Sequence, residues 1–339
     1  KVPAVSSSAD TTIYLWWGNA DAGQPAVGEA YGQHAAYDAH YIAVYPMGYD
    51  ESEGGATCLD RTSNMNHATP NNTSKDWSVD GPVGRASPLH DGSNWQYYDA
   101  PADAEMNVSD WSAEACLYID SETTSGGATA PWTYVFSRRN ATEGGRGYSL
   151  GQYIVDTGTY AAAYRNIYCT SRATATGTLC LPGIAGVRHI PLDTWESVGV
   201  VSDVGENVKL FNNGSSLTPL TVLGSLSVIA QNPADETIAL RIGGYNHASP
   251  TTVGDVRLCE VRVSNSARSE AWLKAYHHNL LRATDFLDFS AATIVDPEDS
   301  PPMITTETPT HIVTTSAYLN GYLTSTGTAA TVVRVYWGN

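Results

Sequence analysis

Asp60, Asn64 and Asn66 fall within one short loop, CLDRTSNMN. Calcium takes several hard oxygens from carboxylates, amides and backbone carbonyls, so the three side chains are a candidate calcium site. The competing expectation is an Asx-turn loop whose side chains cap their own backbone. A sugar site asks for aromatic rings beside polar donors and acceptors. Two stretches offer both: SNWQYYD, with Trp95 and Tyr97 on one face of a strand, and GGYNHASP, with Tyr245 and Asn246. The alternative for these rings is ordinary packing in a core or on a sheet.

Other chemistries find no support. Retaining glycoside hydrolysis needs two carboxyl groups about 5 Å apart. Glu114 and Asp120 share one strand face in EACLYIDSE, but six residues of extended chain separate them by ~20 Å. Nucleophile elbow, phosphate loop, His-Glu-x-x-His and Cys-x-x-Cys are all absent from the sequence. His277 and His278 are adjacent rather than one helical turn apart, which suits a structural role near a helix C-terminus. The chain is therefore read as a non-enzyme.

The elements that would position the candidate residues are mostly strands. Runs such as YIAVYPM, ACLYID, WTYVFSR, ESVGVVSD and VRLCEVRVSN alternate with Gly, Asn, Asp and Ser clusters, the pattern of an antiparallel sandwich or jelly roll. Asn213-Gly214 supplies a tight turn. One helix is expected in SARSEAWLKAYHHNLLRATDFL, capped at Ser266 or Ser269, with Trp272, Ala275, Tyr276 and Leu280 on its buried stripe. A second, shorter helix is expected in AVGEAYGQHAAYDAHY. The acidic, Pro-rich run IVDPEDSPPMITTETP reads as a linker. These signals divide the chain into residues 1–40, a sandwich over 41–293, a linker over 294–309 and a partial sandwich over 310–339.

Composition bounds the setting. With 20 Tyr and 9 Trp against 4 Phe, the chain favours rings with polar tips, which suit half-buried strands and binding surfaces. A net charge of −17 repels nucleic acid and anionic membrane, and no apolar run is long enough for a membrane helix. The charge would also suit divalent cations or a saline habitat. Cys169 could pair with Cys180 across CTSRATATGTLC, and Cys116 with Cys259 between two strand-like runs; the alternative is buried free thiols. Asn71, Asn72, Asn107, Asn140 and Asn213 begin glycosylation sequons.

The order of motifs from Tyr41 to Asn279 resembles the laminin-G-like, concanavalin A-like lectin and glucanase superfamily. DRTSNMNHAT is similar to that family's Asp-x-Ser/Thr-x-Asn-x-x-His loop, WSAEACLYID to its Thr-Ile-Glu-Ala-Trp-Val strand, and DTWESVGVVSD to its Trp strand. VDGPVGRASPLHDGSNWQYYDAP is similar to its Gly-x-x-Gly-x-Ala segment, and GDVRLCEVRVSNSARSEAWLKAYHHN to its closing Glu-Val-Arg-Ile-Ser-Asn-x-Ala-Arg-Ser-x-x-Trp segment. The resemblance implies a mostly β, concanavalin A-like antiparallel jelly-roll sandwich with one accessory helix, and loops of the kind that bind calcium at a sandwich rim. The opening residues resemble the tail of a domain of unknown function found in bacterial and archaeal surface proteins. The closing residues resemble a partial immunoglobulin-like or fibronectin-like β segment.

TTIYLWWGN near the start and VVRVYWGN at the end are strands without obvious sisters, and an unpaired strand must find hydrogen-bond partners. The chain is a fragment of a longer surface protein, a subunit that lends strands to copies of itself, or a chain whose two ends pair privately. The expectation is an extracellular structural or adhesive protein of a filament, surface layer or appendage, with itself as partner. The alternative is a carbohydrate-binding lectin module with glycan partners, and a virion surface protein is third.

Overall fold

The computed structural model describes residues 23, 25–30, 32–48, 57–71, 79–89, 96–121, 132–140, 146–153, 166–172, 180–183, 190–217, 220–224, 238–244, 255–282, 287–289, 303–306, 310–313, 316–318, 321–325 and 335–337. They fall in two compact units, Pro25–Leu281 and a second made of Lys1–Gln24 with Arg282–Asn339.

In the first unit, chain order runs β1 (Tyr41–Tyr45), β2 (Thr69–Pro70), β3 (Val79–Asp80), β4 (Arg85–Leu89) and β5 (Tyr98–Ala100). Next come β6 (Trp111–Ser121), β7 (Trp132–Asn140), β8 (Arg146–Tyr153), β9 (Asn166–Arg172) and β10 (Cys180–Gly183). The unit closes with β11 (Trp195–Ser202), β12 (Lys209–Asn212), β13 (Ser215–Leu217), β14 (Leu220–Gly224), β15 (Leu240–Ile242), β16 (Asp255–Ser264) and the helix α1 (Glu270–Leu281). Their pairings build two antiparallel sheets. The first has the order β13-β12-β11-β6-β16-β4-β3, with β1 beside the second half of β16; the second has the order β14-β10-β9-β8-β7-β15-β5-β2. The chain is a mostly β, antiparallel sandwich with one helix, as its alternation of strand and turn residues leads one to expect.

Period-two alternation decides which side chains meet between the sheets. On β6, Trp111, Ala113, Ala115, Leu117 and Ile119 join the core with Tyr98, Phe136, Tyr148 and Leu240 from the facing sheet. The Trp111 ring lies 4.8 Å from Tyr148 and 6.4 Å from Phe136. The intervening β6 residues face away from this core. There Cys116 joins Cys259, Tyr276 and Leu280 in a second apolar cluster, because α1 covers that part of the sheet.

Ser269 starts α1: its hydroxyl accepts from the Trp272 N–H at 3.3 Å. The buried stripe is Leu273, Tyr276, His277 and Leu280. Trp272 is 39% exposed and Ala275 is exposed as well, so the helix is turned by about one residue from the expected stripe. His277 is buried as expected of a structural residue, its Nδ1 2.9 Å from the Ser197 hydroxyl. The shorter helix is reduced to a single 3-10 turn over Gln33–Ala36.

The helix lies close enough to its sheet to demand a residue without a side chain beneath it. A Cβ on Gly199 would stand 2.6 Å from Leu273 Cδ1 and 3.4 Å from the Ala113 carbonyl oxygen. Gly199→Ala is expected to lower stability by about 1–3 kcal/mol through overpacking. Combined with Leu273→Ala, its effect falls well short of additive, which a double-mutant cycle in urea measures.

Asp38 pairs with Arg268 and the Tyr37 ring packs edge-on against Tyr41, which ties residues before 41 to the sandwich. In the second unit, β17 (Leu287–Phe289) pairs with β22 (Val335–Trp337), β18 (Met303–Thr306) with β21 (Gly321–Ser325), and β19 (Thr310–Val313) with β20 (Ser316–Tyr318). The closing strand therefore has a partner within its own chain, contrary to expectation. TTIYLWWGN lies outside the described residues.

Candidate functional site

The Asp60 loop is built from its carboxylate outward. Oδ1 accepts the N–H groups of Val44 at 2.9 Å and Thr62 at 3.0 Å. Oδ2 accepts the Thr62 hydroxyl at 2.8 Å and the Asn66 N–H at 3.0 Å. Asp60 is 2% exposed, and its own N–H donates to His67 Nδ1. Asn64 and Asn66 direct their amide nitrogens at the Ile42 carbonyl oxygen, at 3.1 and 3.4 Å. The carboxylate thus receives four protein donors, and both amides present nitrogen rather than oxygen to their shared neighbour. These bonds of Asp60, Asn64 and Asn66 follow the Asx-turn alternative to the calcium expectation. The loop is an Asx-type staple that joins β1 to the segment before β2.

The strand that continues the first of the two candidate sugar stretches pairs, in the second sheet, with the strand that precedes the second stretch. β5 and β15 are antiparallel neighbours with Asp99 facing Arg241 and Tyr98 facing Ile242. Tyr98, Ala100, Leu240 and Ile242 are in the core. Asp99, Arg241 and Tyr97 therefore lie on the outer face. Arg241 makes a bidentate ion pair with Asp99, Nε to Oδ1 at 2.8 Å and Nη2 to Oδ2 at 2.9 Å. Its guanidinium carbon sits 3.8 Å from the centroid of the Tyr97 ring. Asn71 accepts the Tyr97 N–H through Oδ1 at 2.9 Å and donates its own N–H to the Tyr97 carbonyl, which extends the ladder beyond β2. Ser137 faces Arg241 across the next strand pair, and Ser149 faces Ser137. The Ser137 hydroxyl is fully buried and closes no hydrogen bond. Gly243, at φ +81°, completes the turn out of β15: a Cβ there would meet Leu89 Cδ1 at 2.3 Å. Trp95, Tyr245 and Asn246 lie outside the described residues; Tyr245 directly follows Gly244, and Trp95 precedes Tyr97 by two positions.

On the outer face of the first sheet, several resemblance residues come together around Glu114. Arg262 faces Glu114 across the β6–β16 ladder but bonds Glu260 through Nε at 2.5 Å. Arg268 forks onto Asp38 at 2.7 and 2.6 Å, and stacks 4.5 Å from Tyr41 and 4.3 Å from Trp272. Trp272 Nε1 donates to the Tyr41 hydroxyl at 2.9 Å. Both cations are thus committed to other acids. Glu114 is 1% exposed, and neither of its oxygens closes a hydrogen bond. Burial is the largest influence on its carboxyl; Arg262 and Arg268 oppose it, Glu260 adds to it, and the pKa is pushed up to about 7. The group is a buried carboxyl inside a structural clamp.

The remaining expected residues are placed as follows. Cys116 and Cys259 lie side by side beneath α1 as free thiols, the alternative to the expected bridge. The hydrogen bond that the Cys116 thiol donates to Cys259, together with burial, pushes Cys116 well up, so it stays protonated. Cys180 faces Ser171 rather than Cys169 in the β9–β10 register, so the second expected pair is offset along the ladder. Asn213 donates its amide nitrogen to Glu196 and accepts the Ser197 N–H. Asn107 Oδ1 accepts from Arg138 at 2.8 Å. Asn71 is exposed; Asn72 and the side chain of Asn140 lie outside the described residues.

No protein-family model and no curated protein matches the sequence. Among solved structures, the chain is similar to the binding domain of Paraclostridial Mosquitocidal Protein 1, with a TM-score of 0.49 and 10% identity over 71% of this chain and 52% of that one. It is similar to the botulinum neurotoxin serotype G binding domain, with a TM-score of 0.45 and 13% identity over 70% of this chain and 50% of that one. It is also similar to domain 4 of AbnA, a GH43 extracellular arabinanase from Geobacillus stearothermophilus, in complex with arabinotriose (TM-score 0.45, 17% identity, 70% of this chain and 98% of that one). The chain spans about half the length of the toxin binding domains it resembles. At such identities the likeness is one of fold.

Sequence reasoning found Tyr97 but missed Asp99 and Arg241. The signal available was the Tyr-Tyr-Asp and Leu-Arg-Ile alternation, which puts one polar residue outward on each strand. The 142 residues between Asp99 and Arg241 hid their pairing.

Proposed function

We propose that this chain is a carbohydrate-binding module of a secreted or cell-surface protein. One observation supports the reading most: the pairing of β5 with β15 sets Tyr97, Asp99 and Arg241 together on one outer face as a preorganised cluster. Stacking surface beside fixed, partly exposed hydrogen-bonding groups is what sugar recognition requires. Among the described residues no helix is long and apolar enough to cross a membrane.

Assembly into a filament has less support than this reading. It rested on closing strands without partners, and Val335–Trp337 pairs with Leu287–Phe289 of the same chain. Binding of the purified protein to an array of neutral and acidic glycans tests the proposal. The expected result is binding to a restricted set of sugars, unaffected by chelator and at least tenfold weaker in Tyr97→Ala at unchanged circular dichroism. An array blank at millimolar protein overturns it.

A further inference from the structure

We propose that the loop from Cys58 to Ala68 stands in for a neighbouring strand along β1, and that the edge beneath it is a surface on which a second copy of this chain pairs once the loop is loosened. The inference goes beyond the carbohydrate-binding reading and does not depend on it.

β1 is an edge without protection of its own. Among the described residues β16 is the only strand it pairs with, and Ala43 and Tyr45 face Val263 and Val261 there. Successive residues of a strand turn their N–H and C=O groups toward opposite neighbours, so the far side belongs to the backbone of Ile42 and Val44. An open edge is commonly blunted by lysine, by proline or by very short length. The strand YIAVY has neither residue, runs for 5 residues and is buried throughout.

The loop supplies the missing ladder. Val44 donates its N–H to Asp60 Oδ1 at 2.9 Å, and its carbonyl oxygen accepts the Arg61 N–H at 2.9 Å. The Ile42 carbonyl oxygen accepts the amide nitrogens of Asn64 and Asn66 at 3.1 and 3.4 Å. The loop keeps this shape through its own bonds. Cys58 and Ala68 close its base with reciprocal N–H to carbonyl bonds of 2.8 Å, and Asp60 ties Thr62 and Asn66 across its middle. Met65 turns its tip at φ +55°, a conformation that no extended strand contains. The Tyr45 hydroxyl donates to the Asn66 carbonyl oxygen at 2.7 Å and pins the loop from β1 itself. The cover thus satisfies β1 and ends the sheet where another strand would continue it.

The partner is a second copy because β1 is self-complementary when it runs antiparallel to itself. Turned about Ala43, Ile42 of one copy comes opposite Val44 of the other, and the donor and acceptor of each meet those of its counterpart. Such a two-fold contact uses the same edge on both copies and closes on itself, so the product is a dimer and not a filament.

Sedimentation velocity of the intact chain, from about 1 μM to about 100 μM protein, tests the proposal. The parent is expected to stay monomeric. Asp60→Asn, which turns an N–H₂ group toward the Val44 donor, is expected to form a reversible dimer with a dissociation constant at least tenfold below the parent's. Asn64→Ala combined with Asn66→Ala keeps the Asp60 bonds and shifts in the same direction by less. Amide hydrogen exchange of each dimer is expected to show Ile42 and Val44 better protected than in the same variant diluted to monomer. Folded variants as monomeric as the parent overturn the proposal, and so does association that leaves those two amides unprotected. If Asp60→Asn does not fold, the Asn64/Asn66 variant decides alone, and its failure to dimerise overturns the proposal. A parent that already dimerises through these amides overturns the loop's role as a cover. Glycan binding or its absence changes none of these outcomes.

Discussion

Replacing Asp60 with alanine is expected to lower stability by about 3–5 kcal/mol, one of the largest single effects in the sandwich. The carboxylate serves three buried or partly buried backbone N–H groups, from Val44, Thr62 and Asn66, besides the Thr62 hydroxyl. Each unsatisfied buried donor costs about 1–3 kcal/mol, and the loop can recover only part of that by admitting water. Asp60→Asn keeps the shape but turns an N–H₂ toward groups that are themselves donors, so it loses about 2–3 kcal/mol. Urea unfolding followed by tryptophan fluorescence measures both. A loss below 1 kcal/mol for the alanine variant would show that the network does not hold β1 in place. Calcium added at millimolar concentration leaves the parent midpoint unchanged, because the oxygens it would need are already taken.

The same loop shows how far the sequence could be read. Asp60, Asn64 and His67 are visible as a pattern, and their closeness in the chain is what a calcium loop and an Asx turn have in common. What separates the two is the partners: the Val44 N–H and the Ile42 carbonyl oxygen lie 16 and 22 residues from their bonds to Asp60 and Asn64. Local chemistry was legible and its non-local completion was not. Fold class was legible for the complementary reason. Alternation of apolar and polar residues and the turn signals between them are local properties, and they suffice for a β sandwich. Strand order is not local. Nothing in the spacing of Glu114, Arg262, Arg268 and Trp272 says that they gather on one sheet face. The bulge at Cys259, between Leu258 and Glu260, is also invisible to a period-two count. That extra residue leaves Cys259 and Glu260 on the same side, near Cys116 and Arg262. The helix stripe was off by one position, because Trp272 reads as apolar while its ring is held at the surface by Arg268 and the Tyr41 hydroxyl.

Glu114 gives the second large effect, and its sign runs against the usual carboxylate. A surface Asp or Glu paired with a cation stabilises the fold once ionised. Glu114 is buried, and the two arginines near it are already paired with Glu260 and Asp38. Burial raises its pKa from 4.5 to about 7. The folded state therefore binds the Glu114 proton more tightly than the unfolded chain does. The associated stability is fully present below about pH 4.5 and is lost as pH rises to about 7. At about 1.4 kcal/mol for each unit, the loss by pH 8 is roughly 3 kcal/mol. Glu114→Gln holds the neutral form permanently. Its stability relative to the parent is expected to rise with pH, from near zero at pH 4.5 to about 2–3 kcal/mol in favour of the variant at pH 8. Taking the difference between the two proteins at each pH cancels the titration of every group outside the cluster. The groups that face Glu114 are Arg262 and Glu260 from β16, Arg268 from the turn before α1, and Tyr41 from β1. Arg262→Lys loses the forked guanidinium that bonds Glu260 and leaves a cation free to reach Glu114, which pulls its titration to lower pH and flattens the difference curve. A curve for Glu114→Gln that is flat between pH 4.5 and 8 would mean that the carboxyl finds water or a cation within the folded clamp, and that the strain assigned to its burial is absent.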